Sequence, residues 1–349
     1  MSDFSNFLNS LSKASKDDDL VSVYGPGELF KGSSIPYGIK SGIPQLDLAI
    51  GRCGWPAGRI VELYGLAFSG KSCLALHAIA NCQRMGGAGI YIDSEKTFDG
   101  ERAQRLGVNI DADFSVAEVA SVDAGFRTVR RITESLKESK YNRPMVVVYD
   151  SVVGVENEYD REREIGEDPR VGQEAKSMRK GVRAIASLVS DSKIVLMLVN
   201  HAIARISGNP YAKQTSSAGG NAIKLWSTLR VELTSVGKLK DKETELRAGQ
   251  KIQMFLEKNK VGGISEEKFT VELVDGRGFD TVGNLLEASV QAGLVEHPKG
   301  SKTYTWTLDG TTFASLEWEA LVENLGGVDS VYETFYNYCL SKKLMRAYS

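Results

Sequence analysis

Four cysteines, three histidines and eight prolines are all that 349 residues carry of each. Cys53, Cys73, Cys82 and Cys339 are scattered, with no C-x-x-C pair and only His77, His201 and His297 beside them, so the ligand spacing of a structural zinc is missing. Unpaired cysteines in this pattern fit a reducing cytosol, where disulfides do not persist. No apolar run approaches the ~18 residues that a membrane span requires. The first residues lack a charged stretch followed by an apolar core, so no secretory signal is expected and the expected location is cytoplasmic. A net charge of −2 excludes a global basic field, and any nucleic-acid surface has to be local. Internal repeats and low-complexity blocks are also missing.

What is present is an ordinary globular composition, 25% charged and 42% hydrophobic, long enough for one large domain with small appendages. The stretch that organises it is Gly65-Leu66-Ala67-Phe68-Ser69-Gly70-Lys71-Ser72, which fits G-x-x-x-x-G-K-[ST]. That pattern carries chemistry only between a strand and a helix. Ile60 to Leu63 is a β-favouring run, and Cys73, Leu74, His77, Ala78 and Cys82 follow at helical spacing. Such a loop turns backbone N–H groups towards phosphate oxygens, and the helix dipole from Lys71 onward favours negative charge there. Lys71 would reach the β- and γ-phosphates of a nucleoside triphosphate, and the Ser72 hydroxyl would bind Mg²⁺ directly.

The rest of the chain alternates. Ser41-Gly42-Ile43-Pro44 with Leu46, Leu48 and Ile50 predicts a capped short helix. Ile90 to Asp93 predicts a strand that stops at Ser94-Glu95; Glu95 there is either a water-orienting carboxylate or a solvated loop acid. Phe126 to Leu136 reads as a helix, and Met145 to Asp150 as an apolar strand delivering Asp150 to a metal shell through water, the shape of a Walker B element. Val171 to Ser190 reads as a helix with Met178, Val182, Ile185 and Leu188 inward, and Ile194 to Val199 as a strand ending at Asn200-His201. This order predicts an α/β fold with a mostly parallel, doubly wound sheet, with ligand at the carboxyl ends of the strands. Gly65 to Ser72, Glu95, Asp150 and Asn200 converge there.

Two polar segments follow strand ends, 157–172 and 202–220. The second holds Arg205, Tyr211 and Lys213 among Gly, Ser and Thr, which suits either single-stranded nucleic acid or a solvated lid. Leu229 to Leu273 reads as three strands, with Lys258 and Lys260 at one strand end. Three parts are expected: an appendage over 1–34, a core over 35–277 and a small unit over 278–349. The last has a helix over 282–291, a hairpin over 294–308 and helices over 316–325 and 331–340, with Leu285, Trp306, Phe313, Trp318, Phe335 and Cys339 as its core. The Phe4, Phe7, Leu8 and Leu11 stripe of the appendage packs on its own core, binds another subunit or stays mobile.

On these residues the chain resembles the RecA family of strand-exchange recombinases, over most of residues 35–349. The family's entry helix is matched by Ser41 to Gly51, its approach to the P-loop by Pro56 to Glu62, and its second-strand motif by Tyr91-Ile92-Asp93-Ser94-Glu95. The resemblance implies a P-loop RecA-type ATPase core with a short N-terminal helix-strand oligomerisation segment over 1–34 and a small α+β C-terminal domain. It implies ATP and Mg²⁺ as cofactors, with Glu95 activating water and residues 65–73, up to Cys73, cradling the phosphates. Asp99 falls at the adenine contact, and Arg102 stands where the family carries an aromatic residue. Asn200 is followed by His201, where bacterial relatives carry Gln, at the link between γ-phosphate and DNA loop. That histidine and the divergent N-terminus resemble phage-encoded relatives such as UvsX, for which the location would be the host cytoplasm.

The same resemblance assigns DNA contacts to a first loop at Glu164, Ile165 and Gly166. It adds Lys176 and Arg183 on the next helix, and a second loop with Arg205, Ile206, Ser207, Gly208, Asn209, Tyr211 and Lys213 that exits through Gly219, Gly220 and Asn221. Lys258 and Lys260 match a catalytic pair that reaches the neighbour's ATP, so ATP would lie between subunits of a homo-oligomeric helical filament, and the N-terminal stripe would dock on the adjacent subunit. The implied function is an ATP-dependent recombinase that coats single-stranded DNA, pairs it with homologous duplex and exchanges strands, working with a single-strand-binding protein and a loader. A hexameric replicative helicase on the same core and a non-hydrolysing recombinase mediator are the alternatives.

Overall fold

The computed structural model describes residues 35–139, 141–153, 173–204, 215–241, 244–263, 265–298, 300–308 and 311–348. The appendage over 1–34 lies outside them. β1 (Gly38–Ile39) and β2 (Trp55–Pro56) pair antiparallel on either side of α1 (Pro44–Ile50). Then β3 (Arg59–Gly65), α2 (Lys71–Arg84), β4 (Ala88–Asp93), α3 (Gly100–Arg105), β5 (Phe114–Glu118), α4 (Val122–Ser139), β6 (Met145–Asp150), α5 (Gln173–Ser192) and β7 (Val195–Ala204) alternate. β8 (Thr215–Ser217), α6 (Asn221–Trp226), β9 (Leu229–Lys240), β10 (Arg247–Asn259), β11 (Glu267–Val274) and β12 (Gly278–Phe279) finish the main sheet. α7 (Thr281–Gln291), β13 (Val295–Glu296), β14 (Tyr304–Leu308), β15 (Thr311–Ser315), α8 (Trp318–Asn324) and α9 (Val328–Ser341) close the chain.

The sheet order is β12-β11-β10-β9-β3-β7-β6-β4-β5, with β8 beside β7. From β9 to β5 neighbouring strands are parallel; β10, β11 and β12 add antiparallel. The alternation of side chains along each strand splits the core in two. Val61, Leu63, Val146, Val148, Val195, Met197 and Val199 face α1 and α2. Ile60, Val147, Tyr149, Leu196 and Leu198 face α4 and α5. Burial on both faces explains why these strands read as continuous apolar runs. The expected α/β architecture with a mostly parallel sheet is therefore the one observed. Among the described residues no helix is long and apolar enough to cross a membrane.

Several local expectations need correction. β7 does not end at Val199: it runs to Ala204, because β8 pairs with its extension (Ala202↔Ser217, Ala204↔Thr215) and satisfies backbone groups that a lone strand end would leave to water. Asn200 and His201 therefore stand inside a strand. On α5 the inward row is Met178, Val182, Ile185 and Val189, with Leu188 half-buried, since a three-residue step after Ile185 drifts off the face. Ser41 does not cap α1; Ile43 holds that position, and the Ser41 hydroxyl closes a turn by accepting from Ile43 N at 3.0 Å. The expected C-terminal hairpin is a three-stranded meander, β13-β14-β15, and Phe313 on its edge strand is 39% exposed, outside the core.

The third apolar cluster joins Leu285, Trp306, Trp318, Phe335 and Cys339, and Leu48 and Cys53 pack against it. Asp47, fully buried on α1, accepts hydrogen bonds from Tyr336 on α9 and from Ser41 N at 3.2 Å. Burial raises its carboxyl to about 7, against the lowering by the bonds from Tyr336 and Ser41. A carboxyl raised in the folded state keeps its proton where the unfolded chain has released it, so it reduces stability as pH climbs from about 4 towards 7. Asp47→Asn removes that slope. The thermal midpoint of the variant relative to wild type should rise by several degrees between about pH 5 and about pH 8; a pH-independent difference contradicts the assignment.

Candidate nucleotide site

The loop between β3 and α2 is closed by its own lysine. Lys71 is 6% exposed, and its Nζ donates to Gly65 O at 3.1 Å and Leu66 O at 2.8 Å. Burial lowers its pKa, opposed by the Asp150 and Glu95 carboxylates. Gly70 caps α2 with φ 91°, a left-handed conformation that favours glycine, and no side chain caps the first turn. The first N–H groups of α2 are therefore open to an anion. Phosphate oxygens can replace the two carbonyls as acceptors for Lys71.

Parallel register brings the acids together. Asp93 lies beside Asp150 across β4 and β6, and Gly65 beside His201 across β3 and β7. Ser72 Oγ donates to Asp150 Oδ2 at 2.6 Å, and the Tyr91 hydroxyl donates to the same oxygen. Burial raises the Asp150 pKa, while the bonds from Ser72 and Tyr91 lower it. Asp93 accepts from Glu95 N at 3.0 Å and Phe98 N at 2.8 Å, which fixes the turn that carries Glu95. Ser151 Oγ lies 2.7 Å from Glu95 Oε1 and also faces Val153 O, so its single proton serves one acceptor at a time. His201 Nε2 lies 3.3 Å from the same Glu95 oxygen. Glu95, Asp150, Ser72 and Lys71 thus meet at the carboxyl ends of the central strands, with the carboxylates and hydroxyl that a hydrated divalent cation accepts.

These residues line a cleft of about 620 Å³ together with Ala67, Phe68, Ser69, Gly70, Cys73, Arg102 and His201. Phe68 stands 91% exposed at its mouth. Gly65 and Leu66 frame the loop without lining the cleft. Asp99 does not line it either: its side chain caps α3 by accepting from Arg102 N at 3.0 Å. Asn200 is buried and turned to Glu62, to which its Nδ2 donates at 2.9 Å. Part of the cleft wall escaped sequence reasoning: Thr97, Arg105, Leu106, Arg247, Gln250 and the Leu273–Gly278 turn. Gln250 Nε2 donates to Phe68 O at 2.6 Å, and Arg247 pairs with Asp275 at 3.5 Å. The Asp275-Gly276-Arg277-Gly278 run was the one available signal, a tight turn at a strand end.

Lys258 and Lys260 sit elsewhere. Register places Lys258 beside Arg230, which pairs with Glu62, and Asn259 beside Leu229, which pairs with Val61, so the two lysines lie level with the amino-terminal half of β3, roughly 10–17 Å of strand from Gly65. Lys258 Nζ donates to Lys224 O and to Leu225 O at 3.1 Å, and burial, with Lys260 and Arg230 nearby, lowers its pKa to about 8. Lys176 and Arg183 are exposed, seven residues apart on one face of α5. Gly219, Gly220 and Asn221 lead into α6, with Gly220 at its cap. Glu164, Ile165, Gly166, Arg205, Ile206, Ser207, Gly208, Asn209, Tyr211 and Lys213 lie outside the described residues.

The Tyr91 bond to the half-buried Asp150 carboxylate should be worth about 1.5–3 kcal/mol. Tyr91→Phe should lower stability by about that much in denaturant unfolding at neutral pH. An unchanged midpoint contradicts the bond.

A profile of the RecA N-terminal domain matches residues 29–280. Protein RecA of Azospirillum lipoferum is 34% identical over 277 residues, 78% of this chain and 72% of that protein. Protein RecA of Syntrophobacter fumaroxidans is 34% identical over 280 residues, 80% and 76% of the two chains. Protein RecA of Borrelia hermsii is 32% identical over 311 residues, 86% and 83%. With that profile over most of its length, those relatives and a parallel sheet carrying its P-loop, the chain belongs to the RecA family.

Proposed function

We propose that the protein is a DNA-dependent ATPase that assembles on single-stranded DNA and catalyses homologous pairing and strand exchange. The observation that carries this reading is the meeting of Lys71, Ser72, Asp150 and Glu95 in one cleft at the carboxyl ends of parallel strands, with Ser72 and Asp150 2.6 Å apart. The donor set fits Mg²⁺ with the substrate ATP: Ser72 would bind the ion directly and Asp150 through water. Bound there, Mg²⁺ supplies charge neutralisation for the phosphate oxygens. Lys71 exchanges its loop carbonyls for phosphate oxygens. Glu95, held between Ser151 and His201, orients the attacking water and takes its proton. The cleft around Arg102, Leu106 and Leu273 takes the nucleoside.

The position of Lys258 and Lys260 supports a head-to-tail assembly. Neither lysine lines the cleft of its own chain, and in this reading they serve the nucleotide of a neighbouring subunit, so that turnover requires neighbours. The exposed Lys176 and Arg183 give the DNA backbone cations on one helix face, and Gly219 to Asn221 anchor the exit of the second DNA segment. Single-stranded DNA, homologous duplex and further copies of this chain are the partners this reading requires.

Lys71→Ala should abolish ATP binding or turnover; normal turnover removes the site. Glu95→Gln should keep ATP binding and DNA assemblies while slowing hydrolysis at least about 100-fold. Hydrolysis at the wild-type rate removes Glu95 from its role. Replacing Lys176 and Arg183 together by Ala should reduce the log–log salt slope of DNA binding by about 2, read by anisotropy across a salt series; an unaltered slope contradicts that surface.

A further inference from the structure

Tyr91 touches Asp150 without lining the cleft, and the ATPase reading leaves it without a role. Its place follows from strand alternation. Tyr91 pairs with Val148 and Asp93 with Asp150 across β4 and β6, and side chains two apart share a face. The Tyr91 hydroxyl therefore reaches Asp150 diagonally, on the face of the sheet that packs against α2. The ring is held by Phe98, with centroids 5.2 Å apart, and Phe98 packs in turn on Phe114 at 5.6 Å. Phe98 N donates to Asp93 at 2.8 Å, which ties that support to the end of β4. Tyr91 is buried, and at neutral pH a phenol carries its proton and donates it.

This hydroxyl decides which oxygen of Asp150 is open. Ser72 Oγ donates to Oδ2 at 2.6 Å, and Tyr91 donates to the same oxygen. A carboxylate oxygen carries two lone-pair positions, so the two donors fill Oδ2 and leave Oδ1 for further partners. Ser72 is the residue that would bind Mg²⁺ directly, so Oδ2 adjoins the ion's own ligand. With both positions filled, Oδ2 cannot ligate the ion, and Asp150 meets it through water. With one position free, Oδ2 can become a direct ligand. Ion choice turns on that difference: Mg²⁺ is small and keeps several waters, whereas Ca²⁺ gathers more oxygen ligands in looser geometry and takes carboxylates directly.

We propose that Tyr91 is a positioning residue that selects the metal ion: its hydroxyl occupies Asp150 Oδ2, keeps that carboxylate in the outer shell and so favours Mg²⁺ over Ca²⁺ as the ion bound with ATP. The inference rests on the nucleotide site proposed above and adds the residue that sets its ion preference. Tyr91→Phe keeps the ring on Phe98 and opens one lone pair of Oδ2.

The test measures equilibrium binding of a fluorescent, non-hydrolysable ATP analogue to the full chain in Mg²⁺ and in Ca²⁺, with thermal midpoints alongside. In Tyr91→Phe the ratio of the Ca²⁺ to the Mg²⁺ dissociation constant should fall roughly tenfold. Tyr37→Phe is the control. Its hydroxyl donates to Lys193 O at 2.7 Å and accepts from Met145 N at 3.2 Å, at the amino end of β6, whereas Asp150 stands at the other end. That variant should lose stability and keep the ratio within about twofold. In an Asp150→Asn background, Tyr91→Phe should move the ratio little further, because it acts through that carboxylate. An unchanged ratio in Tyr91→Phe overturns the proposal and leaves the nucleotide site standing. Equal falls in both tyrosine variants also overturn it, marking a general loosening of the sheet, and so does a full tenfold fall in the Asp150→Asn background. Wild type that binds the analogue with neither ion overturns the nucleotide reading, and the proposal with it.

Discussion

Register between four parallel strands is the constraint on which the site depends. Gly65 stands beside His201, Asp150 beside Val199 and Asp93 beside Asp150. A slip of one residue in β6 would turn Asp150 to the other face and leave Ser72 without its partner. The apolar faces prevent that slip. Val146 and Val148 belong to one core and Val147 and Tyr149 to the other, so either displacement would break both. The hydrophobic layers therefore place the carboxylates, and Cys73 and Leu106 of one layer also line the cleft.

The polar groups so placed cost stability. Lys71 and Asp150 are both held away from their ordinary titration by burial, and Glu62, Arg230 and Asn200 are enclosed behind them. Left to packing alone, apolar replacements of similar volume would serve the fold as well or better. Gathered at the carboxyl ends of the parallel strands, Lys71 and Asp150 suit the nucleotide chemistry proposed for the cleft. Lys258 stands apart from this group: the antiparallel return of β10 sets it beside Arg230, level with Glu62 on β3.

The sequence was most legible where structure is local. The P-loop, its flanking strand and helix, and the apolar strands ending at Asp93 and Asp150 are set by residues within a few positions of each other. Contacts made across the sheet were not legible. Arg247, Gln250 and Leu273 reach the cleft through antiparallel pairing whose register depends on bulges near Lys251 and Leu256. The extension of β7 past Asn200 depends on β8, beyond a long intervening segment. Ser151 escaped notice because a serine after a strand reads as the start of a loop, whereas its role appears only once Glu95 is brought beside it. The resemblance puts Asp99 at the base, and its carboxylate also caps the short helix that follows, a contact visible only once that helix is placed.

The most direct test of the account is ATP hydrolysis measured against protein concentration, with and without single-stranded DNA. If sites are completed by neighbours on a strand, DNA should stimulate turnover, and the specific rate should rise cooperatively with protein. A rate per subunit that is constant with concentration and indifferent to DNA would contradict a shared site and the recombinase reading built on it.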